Sequence, residues 1–203
     1  MSVTYHRGDL PPGLSFGDSV AIDTETMGLK LTRDRLCVVQ LSAGDGKAHI
    51  VHFPTPDYAA PNLRRVLADP NCLKLFHFGR FDIAMIQRYF DILVTPVYCT
   101  KIASRLVRTN SESHSLKTLC SEFLGIDLSK LQQSSDWGAP TLTKQQLDYA
   151  ASDVLHLHAI KAKLDGLLAR EGRLDIAKAC FAFLPARAAL DLAGWDDVDI
   201  FAH

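Results

Sequence analysis

The sequence predicts an α/β protein, a mixed sheet flanked by helices with a helical C-terminal tail, and three observations carry that prediction. Early segments read as short buried strands separated by turn clusters. A middle region alternates strand with helix. From about residue 101 onward the periodicity is helical. Strands first, helices later, with alternation between them, describes helices laid against one sheet.

Residues 1–13 are polar and carry no hydrophobic segment of the kind a secretory signal needs. Residues 19–24 and 36–42 read as buried strands. The turn cluster Ala43-Gly44-Asp45-Gly46-Lys47 leads to a third strand over 48–53. Turns this short imply antiparallel pairing among the three. Pro61 opens a helix over 61–67, because proline suits a first helical turn. A fourth strand over 72–78 runs into a helix over 80–90, then a fifth strand over 94–99 into a helix over 101–108. The helix over 115–124 ends at Gly125, a left-handed cap. After a polar loop over 129–140, Thr143-Lys144-Gln145-Gln146 has capping-box spacing. The helix it opens carries Leu147, Ala150, Ala151, Val154, Leu157, Ile160 and Leu164 at core-facing intervals and is predicted to reach about Arg170. A last helix over 176–184 is expected to break at Pro185. Leu190, Leu192, Trp195, Ile200 and Phe201 follow, much apolar surface for a terminus that would otherwise fray. Either this tail folds back on its own domain or it docks on a neighbouring subunit.

The length of 203 residues fits one domain, 1–203, in which about 174–203 form a C-terminal extension. Apolar residues make up 47% of the chain, yet no run approaches a membrane span, so no membrane partner is expected. The five cysteines (Cys37, Cys72, Cys99, Cys120 and Cys180) are scattered and never in a C-x-x-C pair, which reads as reduced thiols in a cytoplasmic protein. A net charge of −1 excludes an overall positive field that would draw in long nucleic acid. A polyanionic substrate would need locally placed cations or metal ions.

The chemistry-bearing residues begin with Val20-Ala21-Ile22-Asp23-Thr24-Glu25-Thr26. Side chains at i and i+2 of a strand leave the same face, so Asp23 and Glu25 project together. Two carboxylates about 4 Å apart repel by roughly 4 kcal/mol at an effective dielectric near 20. Either a hard divalent cation, Mg²⁺ or Mn²⁺, lies between them, or the strand ends in two solvated acids. Asp82 follows Phe76-His77-Phe78-Gly79-Arg80-Phe81, where a strand turns into a helix; an acid there also suits the helix dipole. Tyr149 and Asp153 are i and i+4 on one helix face, and Ala150 and Ala151 between them let that helix approach a sheet closely.

In that order, Asp-Thr-Glu on a first strand, His-x-Gly-x-x-Asp where strand enters helix, and Tyr-x-x-x-Asp on a late helix resemble the three motifs of the DEDD 3′–5′ exonucleases. The tyrosine resembles the RNase D-like (DEDDy) branch. Ser115-Leu116-Lys117-Thr118-Leu119 and Ser135-Asp136-Trp137 extend the likeness over nearly the whole chain. RNase D itself continues into helical RNA-binding domains, which this chain stops short of. Arg33-Asp34-Arg35-Leu36-Cys37-Val38-Val39-Gln40-Leu41 and the ending Gly194-Trp195-Asp196-Asp197-Val198-Asp199-Ile200-Phe201-Ala202-His203 resemble the bacterial nano-RNase C family.

The resemblance implies an RNase H-like fold and hydrolysis of short single-stranded RNA, notably dinucleotides, to nucleoside 5′-monophosphates. It also implies a homo-oligomer, a ring of eight. The implied cofactors are two divalent cations, Mg²⁺ or Mn²⁺, at Asp23, Glu25, Asp82 and Asp153. Asp23 would bridge both ions, Glu25 and Asp153 would complete the water-holding site, and Asp82 would serve the second ion. Tyr149 would orient the attacking water, since an ordinary tyrosine pKa near 10 makes a poor base. Thr24 is carried over as a substrate contact. Leu29 is a base wedge or ordinary loop packing. His77 contacts the terminal nucleotide or is a buried strand histidine. Arg80 meets a phosphate or pairs with Asp82. Lys101, Arg105 and Arg108 share a helix face that meets phosphate or solvent. Asp136-Trp137 is a packing element bordering the site. Rival functions are trimming of structured RNA 3′ ends, DNA exonuclease activity and a non-catalytic nucleic-acid-binding scaffold. The last would be expected to lose a metal ligand, and none of the five motif positions is lost.

Overall fold

Buried apolar runs and turn residues set the strands of the computed structural model, which describes residues 2–129, 132 and 134–203. The strands are β1 (Ser2–Arg7), β2 (Ser19–Thr26), β3 (Leu36–Ser42), β4 (Lys47–His52), β5 (Leu73–Phe76) and β6 (Val97–Cys99). They form one sheet in the order β1-β4-β3-β2-β5-β6. The β2–β3 and β3–β4 pairs are antiparallel, as the short connections predict, and β2–β5, β5–β6 and β1–β4 are parallel. All seven residues of β3 are buried, the mark of a strand covered on both faces.

The helices are α1 (Pro61–Ala68), α2 (Arg80–Phe90), α3 (Thr100–Val107), α4 (Leu116–Leu124), α5 (Lys144–Leu155), α6 (Leu157–Arg170) and α7 (Leu174–Leu192). Ser115 caps α4 by accepting the Thr118 amide, and Gly125 closes it at φ +68°. The capping box at Thr143 and Gln146 is formed on both sides.

Three expectations need correction. The polar N-terminus contains β1, an edge strand with Ser2, Thr4, Tyr5 and Arg7 exposed, so no apolar alternation announces it. The long helix predicted from residue 143 to 170 is two helices that meet at His156. The break lets α5 lie across the strands while α6 packs on α3, α4 and α7. Pro185 does not end its helix. Its ring is buried inside α7, and its carbonyl accepts from Gln87 of α2 at 3.2 Å. Packing of α7 on α2 offsets the missing amide. Of the predicted loop over 129–140, residues 130, 131 and 133 lie outside the described residues, as does Met1.

Candidate active site

β2 occupies the middle of the sheet, and its C-terminal end carries Asp23 and Glu25. Buried Ala150 and Ala151 let α5 settle on the strands, which brings Asp153 to the same place. Carboxylate oxygens of Asp23, Glu25 and Asp153 all lie within 4.8 Å of one another. Asp82, in the first turn of α2, is buried and accepts the Thr24 hydroxyl at 2.6 Å. Its charge reaches Asp23, Glu25 and Asp153 and raises the pKa of each. Gln40, cross-strand from Asp23 on β3, donates to it at 3.3 Å. Tyr149 stands one turn before Asp153, its ring centroid 6.0 Å from that of buried Trp137. The Trp137 loop is tied to α5 by Gln146, whose amide nitrogen donates to the Asp136 carbonyl at 3.1 Å.

Burial is the first cause that pushes the Asp23 carboxyl well above the usual carboxylate range, followed by the charges of Asp82, Asp153 and Glu25. Burial and then Asp153 and Asp82 do the same to Glu25. Asp82 rises to about 7 through burial, held back by the Thr24 hydroxyl. Asp153 rises to about 7 through burial and the charge of Asp82. Burial and the neighbouring carboxylates keep the Tyr149 hydroxyl protonated far above its ordinary range. Among the described residues, no Lys, Arg or His nitrogen lies within 4 Å of any of the four acids. Four clustered, hard oxygen donors without a protein cation fit divalent metal ions of the Mg²⁺ or Mn²⁺ kind.

The acids floor a cleft of about 560 Å³ whose lining includes Thr24, Leu29, His77, Phe78, Lys101, Lys117 and Tyr149. A slightly larger hollow of about 650 Å³ beneath α6 and α7 is mostly apolar and holds the Lys161–Asp165 pair instead. Leu29 is 83% exposed at the mouth of the cleft, so loop packing does not describe it. His77 Nδ1 lies 2.9 Å from the Thr100 hydroxyl, which itself donates to the Phe76 carbonyl. The His114 backbone also takes a hydrogen bond from the ring, so His77 is fixed between Thr100 and the loop before α4. Burial, with Lys101 nearby, lowers the His77 pKa to about 3 and keeps the ring neutral.

The remaining cations are placed differently from expectation. Arg80 pairs with Asp191 of α7 and not with Asp82. Arg108 is engaged by Glu122 and the Ser113 carbonyl, and it lies with exposed Arg105 outside the cleft lining. Lys101 alone of the three reaches the cleft. Sequence reasoning passed over Gln40, Phe78 and Lys117. A glutamine inside the apolar run 36–42 is the signal for the first. Phe78 and Lys117 carry no spacing signal of their own.

A family model described as 3′-5′ exonuclease matches residues 13–169. The chain belongs to the 3′–5′ exonuclease family. Within that family its sequence is 35% identical over 155 residues to ribonuclease D of Granulibacter bethesdensis, covering 76% of this chain and 39% of that one. This exonuclease-family chain thus spans about two fifths of the length of the curated relatives it matches. Among solved structures, Brucella melitensis NrnC with bound Mg²⁺ is 52% identical with a TM-score of 0.96, each chain covered completely. The same protein bound to pGG is 53% identical with a TM-score of 0.97, covering 100% of this chain and 99% of that one. The DEDD, RNase D-like resemblance and the nano-RNase C likeness both stand, and the mixed sheet flanked by helices is the fold of these exonucleases. No helix among the described residues is long and apolar enough to cross a membrane.

Proposed function

We propose that this chain is a metal-dependent 3′–5′ exoribonuclease for very short oligoribonucleotides, dinucleotides above all, releasing nucleoside 5′-monophosphates. One observation carries the reading: four acids share a cleft whose lining, among the described residues, offers only two lysines as cations. A processive enzyme on long RNA would need a basic track. The pGG complex of Brucella melitensis NrnC, alike over its full length, supports a short substrate.

Asp23, Glu25, Asp82 and Asp153 would hold the divalent cations, and the Mg²⁺-bound Brucella structure supports that assignment. Two such ions supply an activated water, charge stabilisation at phosphorus and relief for the leaving 3′-oxygen. Thr24 favours the ionised form of Asp82 against its burial, and Gln40 donates a hydrogen bond to Asp23. Tyr149, protonated at every working pH, positions the attacking water by hydrogen bonding and does not act as its base. Neutral His77 lines the cleft beside the acids and borders the substrate there. Leu29 wedges against a base, and Lys101 and Lys117 meet phosphate. Assembly into a homo-oligomer, a ring of eight on the family resemblance, would use residues 174–203. There Trp195, Val198, Ile200 and Phe201 are exposed.

The deciding experiment is a length series of 5′-labelled RNA from two to about twenty nucleotides, with matching DNA, with and without EDTA. Dinucleotides should be consumed fastest, and EDTA should stop all hydrolysis. Equal rates on the 20-mer would favour trimming of structured RNA, and preference for the DNA series would favour a DNA exonuclease. Affinity should fall gently with salt, by about 0.7 log units per contacted phosphate for each tenfold rise in salt.

A further inference from the structure

The C-terminal helix reaches the turn that delivers Asp82. Asp191, the penultimate residue of α7, is only 5% exposed. Arg80 donates to it twice, from Nε at 2.5 Å and from Nη2 at 2.7 Å. Arg187, one turn back on α7, donates at 2.7 Å. The Arg80 Nη2 also donates to the Asp196 carbonyl at 2.6 Å. A cation at the first position of α2 opposes the helix dipole, and no side chain caps that end. Its anchor lies on another helix, 111 residues away.

The turn itself is strained. Phe78 sits at φ +67°, a region that bulky side chains rarely occupy. Such a conformation persists only where its surroundings over-determine it. On the inner side Gly79 is pressed against Phe76, where an added Cβ would lie 2.6 Å from the Phe76 Cβ. On the outer side the Arg80–Asp191 fork holds the next residue. Between these two restraints the Phe78 ring is presented half-exposed in the cleft, with the Lys101 ammonium 4.2 Å from its centre.

We infer that Asp191 is a positioning residue for substrate binding: through Arg80 it holds the turn that presents Phe78 and Lys101 to the oligonucleotide. The inference rests on the exoribonuclease reading above. Asp82 has its own tie to β2 through Thr24, so loosening the fork should separate binding from chemistry.

Steady-state hydrolysis of a dinucleotide in saturating Mg²⁺ tests it, comparing wild type with Asp191→Asn and Asp191→Glu. Asp191→Asn replaces an accepting oxygen with a donor, and KM should rise about tenfold while kcat stays within about twofold. Asp191→Glu keeps the carboxylate and should recover most of the loss. An unchanged KM in Asp191→Asn, or a fall in kcat alone, overturns the positioning role. Should Asp191→Asn fail to fold, Arg80→Lys is read by the same criteria, because it keeps the charge and loses the planar fork. A wild type that leaves dinucleotides intact overturns the functional reading itself, and the positioning role with it.

Discussion

The Thr24 hydroxyl on β2 donates to the Asp82 carboxylate on α2 at 2.6 Å, in a setting where Asp82 is only 4% exposed. The bond joins the central strand to the helix that brings the fourth acid, and it favours the ionised form against burial. Thr24→Val preserves shape and strand propensity while removing the donor. Asp82 should then hold its proton to higher pH, moving the acid limb of the pH–rate profile upward. Turnover at neutral pH should fall roughly ten- to a hundredfold, since a hydrogen bond to a charged group is worth about 1.5–3 kcal/mol. A profile that overlays wild type would remove Thr24 from the site.

Metal and pH should be coupled through stability. Asp82 and Asp153 carry folded pKa values of about 7, above the ordinary carboxylate value near 4. Between those limits the folded state binds more protons than the unfolded one, so this contribution to stability falls as pH rises toward 7 and is flat beyond. Bound Mg²⁺ prefers the ionised acids and reverses the penalty. The rise in Tm on adding Mg²⁺ should therefore be larger at pH 8 than at pH 6. Depressed histidines such as His77 lose stability on acidification, but they contribute alike with and without metal and cancel in the difference. A Tm increment independent of pH would contradict the assignment of these acids to the cations.

Deleting one acid should uncouple stability from activity. Asp153→Ala, and likewise Asp23→Ala, should abolish Mg²⁺- or Mn²⁺-dependent hydrolysis. The metal-free variant at pH 8 should melt no lower than wild type, because one half-buried, repelling carboxylate is gone. Wild-type rates in either variant would be fatal to the site.

The motif residues were legible because chemistry and periodicity coincide in them. Asp23 and Glu25 share a strand face, and Tyr149 and Asp153 share a helix face, so their local geometry followed from spacing alone. Their convergence did not, since it depends on Ala150 and Ala151 letting α5 settle on the sheet. β1 was invisible because none of its residues is fully buried and both faces carry exposed side chains, so no alternation marks it. The partner of Arg80 was equally hidden. Asp191 lies 111 residues away on a helix that Pro185 was expected to end. Long-range ion pairs leave no trace in local spacing, and proline signals only the cost of continuing a helix, not the α2–α7 packing that offsets it.

Tyr149→Phe separates positioning from metal binding. The variant keeps the ring against Trp137 and loses only the hydroxyl. Since that hydroxyl stays protonated, its loss removes an orienting hydrogen bond and no base. Turnover should drop by about a hundredfold, the scale of a misplaced reactant. The pH–rate profile should keep its shape, and the Mg²⁺-induced rise in Tm should remain. Loss of a limb along which the rate rises with pH would instead make Tyr149 a proton acceptor.

The C-terminal segment offers a test of assembly that spares the fork to Arg80. Arg187 donates to the carbonyls of Trp195 at 2.5 Å and Val198 at 3.1 Å, so the tail is folded back through its backbone. Its side chains remain uncovered: Trp195 at 46%, Ile200 at 43% and Phe201 at 76% exposure. Backbone anchoring and side-chain exposure together suit a rigid apolar surface offered to another subunit. Large apolar side chains contribute about 1.5–3 kcal/mol each when fully buried, so three per interface govern assembly at micromolar concentration. The triple substitution Trp195→Ser, Ile200→Ser and Phe201→Ser leaves every anchored carbonyl in place. Light scattering should show smaller particles than wild type, with dinucleotide KM unchanged at the Asp191 fork. A particle of wild-type mass would rule out the tail as the contact between subunits.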